Sequence, residues 1–185
     1  MPAPIQIVVV DLEATCWRNP ADRPSGEQQE IIEIGVCLLD TDGKRSAPAS
    51  FLIRPTLSAV SSFCTELTGH TEEWLDVCGL SFSAACRHIE EDFAAPGRVW
   101  ASYGNFDRVL LQQQCDEMGV SYPFGPTHLN IKALLALHER WAREMGLARA
   151  CKRLNHPLEG RHHRGVDDAW NAAWLLARAL GYGQR

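Results

Sequence analysis

The sequence has no apolar run close to the ~20 residues that a membrane-spanning helix needs. Residues 1–4 carry neither a positive segment nor the start of a long apolar one, so we expect no secretory signal peptide. None of the seven cysteines is spaced as C-x-x-C, and their odd number argues against a complete disulfide framework. We therefore expect a cytoplasmic protein with reduced cysteines and no membrane partner.

Basic residues are too few for a chain that holds long nucleic acids through many contacts. Eighteen Lys and Arg against 23 Asp and Glu give a formal net charge of −5. Non-specific duplex binders usually hold many phosphates with a basic surface, so this balance argues against that class. It does not argue against a protein that holds a few phosphates with the help of bound metal.

The sequence also lacks internal repeats, low-complexity segments and linkers. Its 185 residues, with 45% hydrophobic content, suffice for the core of one domain, residues 1–185. The apolar patterns predict a mixed α/β fold in which helices flank a five-stranded sheet. Strands are predicted near residues 7–13, 30–40, 49–54, 99–103 and 128–131. Helices are predicted near residues 62–68, 71–74, 82–94, 106–118, 131–144, 147–154 and 166–180.

The order of these elements predicts the sheet topology. Asp42-Gly43 is a strong hairpin signal between the second and third strands, so the chain opens with a three-stranded antiparallel meander. The fourth strand follows several helices, and such a crossover usually places a strand parallel to an earlier one, here the first.

Two acids end the first strand. Asp11 and Glu13 follow the apolar run 7–10, and the alternation of side chains along a strand points both carboxylates to one face. Neighbouring carboxylates at the end of a buried strand repel each other and resist losing water. A divalent cation with oxygen ligands would offset both effects. The simpler interpretation is that the strand has ended and both acids are solvated.

Two further acids begin helices. Asp107 opens the helix after the fourth strand, and Asp168 opens the last helix. Asp168 leads the apolar stripe that continues through Ala172 and Leu175, so we expect it to face the sheet and Asp167 to face outward. Acids in a first helical turn are favoured by the helix dipole, so ordinary capping is the alternative for each.

A histidine lies in the loop before the last helix. His163 stands five residues before Asp168, where an imidazole can reach a site held by the aspartate and accept a proton from water near neutral pH. The alternative is a solvated loop histidine. His162 has the same spacing to Asp167, and the stripe argument selects the pair His163 and Asp168.

Three segments together resemble the motifs of the DEDDh 3′→5′ exonucleases. They are Asp11-Leu12-Glu13, the run from Ser102 to Asp107, and the run from His163 to Asp168. Each motif is short, but their order, spacing and structural contexts agree over nearly the whole chain. Further segments resemble the Eri-type branch, which acts on histone-mRNA ends and small interfering RNAs: residues 11–17, 62–69, 130–132 and 160–163.

The resemblance implies an RNase H-like fold and a two-metal hydrolysis of phosphodiester bonds at the 3′ ends of single-stranded RNA, with DNA as a further candidate. The products would be nucleoside 5′-monophosphates, and the metal would be two Mg²⁺ ions, for which Mn²⁺ would substitute. The expected metal ligands, which with the general base His163 form the catalytic set, are Asp11, Glu13, Asp107 and Asp168.

The resemblance also implies substrate contacts, but it indicates no particular protein partner. We expect the substrate to contact Thr15, Trp17, Leu67, Thr68 and Phe106, with Trp17 or Phe106 stacking on a base. Core packing is the equal alternative for Phe106. His70 stands where the family commonly has an apolar residue, so the pocket for the terminal base is expected to differ.

Two other functions remain open at this stage. One is a catalytically silent regulatory or nucleic-acid-binding protein on the same fold, although all five catalytic positions carry suitable residues. The other is a zinc-binding module formed by Cys151, His156, His162 and His163, whose spacing is not that of a familiar zinc knuckle.

Overall fold

A computed structural model describes residues 5–183. Its centre is a five-stranded sheet in the order β3-β2-β1-β4-β5. The strands are β1 (Gln6–Ala14), β2 (Ile31–Asp40), β3 (Arg45–Leu52), β4 (Trp100–Ser102) and β5 (His128–Asn130). β2 pairs antiparallel with both β1 and β3, whereas β4 pairs parallel with β1 and β5. The predicted mixed sheet, opening meander and parallel crossover are confirmed.

Among residues 5–183, seven α-helices lie on the two faces of the sheet. They are α1 (Ser62–Thr68), α2 (Glu72–Cys78), α3 (Phe82–Phe93), α4 (Phe106–Met118), α5 (Ile131–His138), α6 (Leu147–Arg153) and α7 (Gly165–Ala179). The alternation along β1 divides the core: Val8 and Val10 pack with α3 and α4, while Ile7 and Val9 pack with α5, α6 and α7. No helix of residues 5–183 is both long and apolar enough to span a membrane.

Two predicted boundaries are wrong. The fifth helix was expected to reach residue 144, but α5 ends at His138 because Arg140 adopts a left-handed conformation (φ 54°) and residues 141–145 continue as a loop. β3 begins at Arg45, earlier than expected, and contains Pro48. A proline lacks the amide hydrogen of a strand, and β3 tolerates it because it is an edge strand.

A contact between two glycines places the start of α7 against the sheet. A Cβ atom added to Gly35 of β2 would lie 1.8 Å from the carbonyl carbon of Gly165, and one added to Gly165 would lie 3.2 Å from the carbonyl oxygen of Asp11. The backbones can approach this closely only because both residues lack side chains. The first turn of α7 is thereby brought beside the end of β1.

Candidate active site

Three carboxylates meet where β1 ends and α7 begins. Asp11 and Glu13 come from β1 and Asp168 comes from the first turn of α7; one carboxylate oxygen of each lies within 4.8 Å of the others. Glu13 and Asp168 are buried, and Asp11 is partly exposed. β1 therefore places both of its acids at one site, and the close contact of α7 with β2 brings Asp168 to the same place.

Burial and the charges of neighbouring acids raise the pKa of both carboxyl groups of β1. Burial, followed by the charges of Asp107 and Asp168, raises the pKa of Asp11 well above its usual range. Burial, followed by the charge of Asp168, raises the pKa of Glu13 to about 8. Carboxylate oxygens are the ligands of hard divalent cations, and such a cation would offset the repulsion, so the donor set fits a metal of this class.

Asp107 lies beside this group and is turned toward the backbone of β1. Its Oδ1 accepts a hydrogen bond from the amide of Leu12 at 3.1 Å, next to Asp11 in the chain. Burial raises the pKa of Asp107 to about 6, against the opposing effect of that hydrogen bond. The parallel pairing of β4 with β1 thus brings the fourth predicted acid to the site, outside the three-carboxylate group.

Both histidines of the loop before α7 reach Asp168. Nδ1 of His162 lies 2.8 Å from Oδ2 of Asp168, and the same oxygen accepts a hydrogen bond from the backbone amide of His163 at 2.9 Å. The two imidazoles stack with ring centroids 4.0 Å apart. Asp168 is buried beside the β1 acids, as the stripe argument predicts, whereas Asp167 accepts a hydrogen bond from the amide of Arg161. Sequence reasoning missed that the imidazole contacting Asp168 belongs to His162.

His163 has the properties of a proton acceptor. Its φ of 65° is unusual for a residue with a side chain, and such strain is concentrated at functional positions. Burial, followed by the charges of His162 and Arg161, lowers the pKa of His163 below its usual value, against the opposing effect of the Asp168 carboxylate. A neutral imidazole with a free ring nitrogen can accept a proton near neutral pH.

Two of the predicted substrate contacts have no accessible surface. Thr15 and Thr68 are both 0% exposed. Oγ1 of Thr15 accepts a hydrogen bond from the amide of Glu30, and Oγ1 of Thr68 donates one to the carbonyl of Cys64 and accepts one from the amide of His70. Their hydroxyls satisfy buried backbone groups, so in this structure neither side chain presents a surface for the substrate contact that the resemblance predicts.

The other predicted contacts are accessible. Phe106 is 55% exposed, which argues against its alternative assignment to the core. Trp17 lines a cavity of about 280 Å³ and Phe106 lines another of about 220 Å³; Arg23 and Gln29 contribute to both. Leu67 is partly buried near the end of α1. The two aromatic rings therefore border adjoining cavities between the loop after β1 and the start of α4.

A buried pair of side chains next to the site, Glu33 and His70, was not predicted from the sequence. Oε2 of Glu33 lies 2.7 Å from Nε2 of His70, and the two side chains are 0% and 2% exposed. Oε1 of Glu33 accepts hydrogen bonds from Ser50 at 2.7 Å and from the amide of Val166 at 3.4 Å. Although burial favours the neutral acid, the bonds from His70 and Ser50 lower the pKa of Glu33 to about 2.

The zinc alternative finds no matching ligand set. Within residues 5–183, two groups could hold a metal ion, and neither contains Cys151 or His156. The ring of His156 stacks instead on Trp174 at 3.8 Å between centroids, and Cys151 is buried in the core.

Comparison with known proteins identifies relatives of the same kind. Residues 8–176 match the sequence profile of the exonuclease family RNase_T. The chain is 29% identical to ERI1 exoribonuclease 2 of Danio rerio and 28% identical to 3′-5′ exoribonuclease 1 of Homo sapiens, in both cases over 94% of its length. It spans 35% of the first relative and 52% of the second.

Solved structures agree with this match. The nuclease domain of 3′hExo, a DEDDh family member bound to rAMP, superposes with a TM-score of 0.84 and 26% identity, covering all of this chain and 96% of that one. A structure of 3′-end-specific recognition of a histone mRNA stem-loop by 3′-exonuclease matches with a TM-score of 0.82 and 26% identity, covering 97% of this chain and 83% of that one. The fold predicted from the motifs, RNase H-like, is confirmed.

Proposed function

Because this chain belongs to the exonuclease family and carries the DEDDh residues of the Eri-type branch, we propose that it removes nucleotides from the 3′ ends of single-stranded RNA. The observation that carries the proposal is the convergence of Asp11, Glu13 and Asp168 beside Asp107, with His163 on the adjoining loop. The products would be nucleoside 5′-monophosphates.

The family depends on divalent metal, and the acids of this chain fit one. We propose that two Mg²⁺ ions bind there, replaceable by Mn²⁺, with Asp11, Glu13 and Asp168 as the main ligands. Asp107 would complete the set with a carboxylate that also holds the amide of Leu12. When bound, the ions neutralise the phosphate, polarise it and stabilise the charge that develops on the leaving oxygen.

The protein side chains would orient the reactants and move the proton. His163 would accept the proton of the attacking water at a ring nitrogen, since its environment favours the neutral imidazole. The carboxylate of Asp168 accepts the amide hydrogen bond of His163 and so fixes the loop that carries this base. The water oxygen bonds to phosphorus, and the 3′-oxygen of the preceding nucleotide departs with the bonding electrons.

RNA is the substrate that the comparisons support. The relatives carry the names exoribonuclease 1 and exoribonuclease 2, and a structural neighbour is bound to rAMP. Trp17 and Phe106 border adjoining cavities between the loop after β1 and the start of α4, and stacking on an aromatic ring holds any base without regard to sequence. We further propose that residues 1–185 act as one exonuclease domain and that the protein works in the cytoplasm.

The test uses 5′-labelled single-stranded RNA and DNA of equal sequence, incubated with the protein and Mg²⁺. A ladder that shortens from the 3′ end and disappears with EDTA is the expected result, and RNA should shorten faster. A 3′-phosphate on the same oligomers is the control for attack at the free end. Absence of cleavage with both Mg²⁺ and Mn²⁺ would contradict the proposal and favour a catalytically silent binding protein.

A further inference from the structure

The connection after α5, together with α6, concentrates positive charge on an acidic protein. Residues 139–153, here called the basic segment, contain two acids and five exposed basic side chains: Arg140, Arg143, Arg149, Lys152 and Arg153. Its formal charge is therefore 5 − 2 = +3, against −5 for the whole chain. Among residues 5–183, none of these five side chains takes part in an ion pair.

Three of the arginines converge on one groove. Arg143, Arg149 and Arg153 line a cavity of about 350 Å³ together with Trp141, and Glu144 is the one acid on its wall. The guanidinium carbon of Arg153 lies 5.2 Å from the ring centroid of Trp141, a cation–π contact that restricts its position. Guanidinium groups bind phosphate oxygens in a two-pronged manner, so a concave cluster of this kind fits a chain of phosphodiesters.

The groove contacts the segment between β4 and α4, which leads to Asp107. The hydroxyl of Tyr103 donates a hydrogen bond of 3.0 Å to the carbonyl of Met145 on the groove wall. Tyr103 follows β4 and stands four residues before Asp107. α6, which carries two of the groove arginines, packs on the same face of the sheet as α7, whose first turn supplies Asp168.

We propose that this groove binds the phosphodiester backbone of the substrate strand on the 5′ side of its reacting end. The proposal rests on the proposed function, because a strand whose 3′ end occupies the carboxylate site must leave along the protein surface. Arginines that contact only phosphates would hold any sequence, which suits an enzyme that shortens a strand nucleotide by nucleotide. The groove would thus favour oligomers over dinucleotides.

The first experiment measures binding without cleavage. The dissociation constant of a fluorescein-labelled 12-nucleotide RNA is measured in EDTA over a range of salt concentrations. Arg143→Ala/Arg149→Ala should weaken binding about tenfold and reduce the slope of log K against log salt by about 1.4, since each phosphate contact on a single strand contributes about 0.7. The matched control is Lys44→Ala/Arg87→Ala, which removes two exposed basic side chains elsewhere.

The second experiment measures cleavage by substrate length. The ratio of KM for the 12-nucleotide RNA to KM for a dinucleotide should rise about tenfold in the groove variant, stay unchanged in the control, and recover in Arg143→Lys/Arg149→Lys. Equal ratios in wild type and variant, with intact dinucleotide cleavage, would overturn the groove and leave the exonuclease in place. Cleavage of neither substrate would overturn the exonuclease, and the EDTA binding data would then decide on the groove.

One further outcome distinguishes nucleic acid from an anionic membrane. Vesicles of phosphatidylserine and phosphatidylcholine are sedimented with the wild type and with the groove variant at the same salt concentration. Arginine-dependent sedimentation, together with RNA binding that does not depend on the arginines, would overturn the assignment to nucleic acid.

Discussion

At the scale of single residues, the two neighbouring histidines divide the contacts to Asp168. The ring of His162 holds the carboxylate, whereas His163 holds it through the backbone and keeps its ring free of that bond. A general base needs a free ring nitrogen, and the His162 ring is already engaged by the carboxylate. We therefore expect His163, and not His162, to accept the proton.

The first prediction compares the two histidines. His163→Ala should lower kcat at least about 100-fold, the usual contribution of a general base, and leave the midpoint of Mg²⁺ activation or binding nearly unchanged. His162→Ala should retain most of the activity. Steady-state kinetics with Mg²⁺ titration, and isothermal calorimetry of Mg²⁺ binding, measure both quantities. Loss of Mg²⁺ binding in His163→Ala would make this residue a ligand or a structural element.

The buried pair of Glu33 and His70 lies next to the site and supports it. Glu33 accepts a hydrogen bond from the first turn of α7, and His70 directly follows the Thr68-Gly69 segment, so the pair connects two elements that flank the site. Removing one partner of a buried hydrogen-bonded pair leaves an uncompensated polar or charged group in the core.

The second prediction concerns the coupling of this pair. His70→Leu and Glu33→Gln should each lower the free energy of unfolding by about 3 kcal/mol, and the double variant should lose clearly less than the sum. Denaturant unfolding of the four proteins at pH 7 gives the coupling energy. Strictly additive losses would show that the two side chains act independently despite their 2.7 Å contact.

At the scale of elements, the position of α7 relative to the sheet controls the site. Gly35 of β2 and Gly165 of α7 meet with no space for a side chain. The same helix supplies Asp168 and follows the loop with both histidines. A displacement of its first turn would separate the three carboxylates without altering any of them.

The third prediction introduces a methyl group at that contact. In Gly35→Ala, the Cβ atom would lie 1.8 Å from the backbone of Gly165, so α7 must move. We expect a loss of about 3 kcal/mol of stability or more, and a fall of about 100-fold in kcat, because small displacements of catalytic groups are costly. Gly97→Ala is the matched control, since nothing lies within 4 Å of its added Cβ. Wild-type kinetics and melting temperature in Gly35→Ala would contradict this account.

Elements with strong local signals could be predicted from the sequence, and those set by tertiary context could not. Nearly continuous apolar runs indicated β1 and β2, and α1 lies between residues typical of helix ends, Ser61 and Gly69. The acids were found because their positions follow from those elements. The length of α5 could not be predicted because no sequence pattern marks the left-handed backbone conformation of Arg140. The burial of Thr15 could not be predicted either, because its hydrogen bond to the amide of Glu30 joins two segments that only the fold brings together.

At the scale of the whole molecule, the cluster of acids makes stability depend on pH and metal. The pKa of Glu13 rises from 4.5 to about 8 on folding, so between these values the folded protein binds more protons than the unfolded chain. Its contribution to stability is complete below pH 4.5 and is lost as the pH rises toward 8. Asp11, whose pKa is also raised, contributes in the same direction.

The fourth prediction follows from the direction of these pKa shifts. In EDTA, the free energy of unfolding should fall from pH 5.5 to pH 7.5, by up to about 1.4 kcal/mol per pH unit for each affected group. Glu13→Gln should show a smaller fall, since its amide does not titrate and no longer helps to raise the pKa of Asp11. Mg²⁺ should stabilise the wild type more at pH 7.5 than at pH 5.5. Identical pH dependence in both proteins would contradict the raised pKa.

The most direct test of the account identifies the first product released from an RNA labelled in its 3′-terminal nucleotide. With Mg²⁺, the wild type should release the label as a nucleoside 5′-monophosphate before any longer fragment appears. Asp11→Asn, which removes the charge of a proposed ligand, should stay folded and release the label at least about 1,000-fold more slowly. Labelled fragments of several nucleotides as first products, or equal release by Asp11→Asn, would contradict a 3′→5′ exonuclease built on these carboxylates.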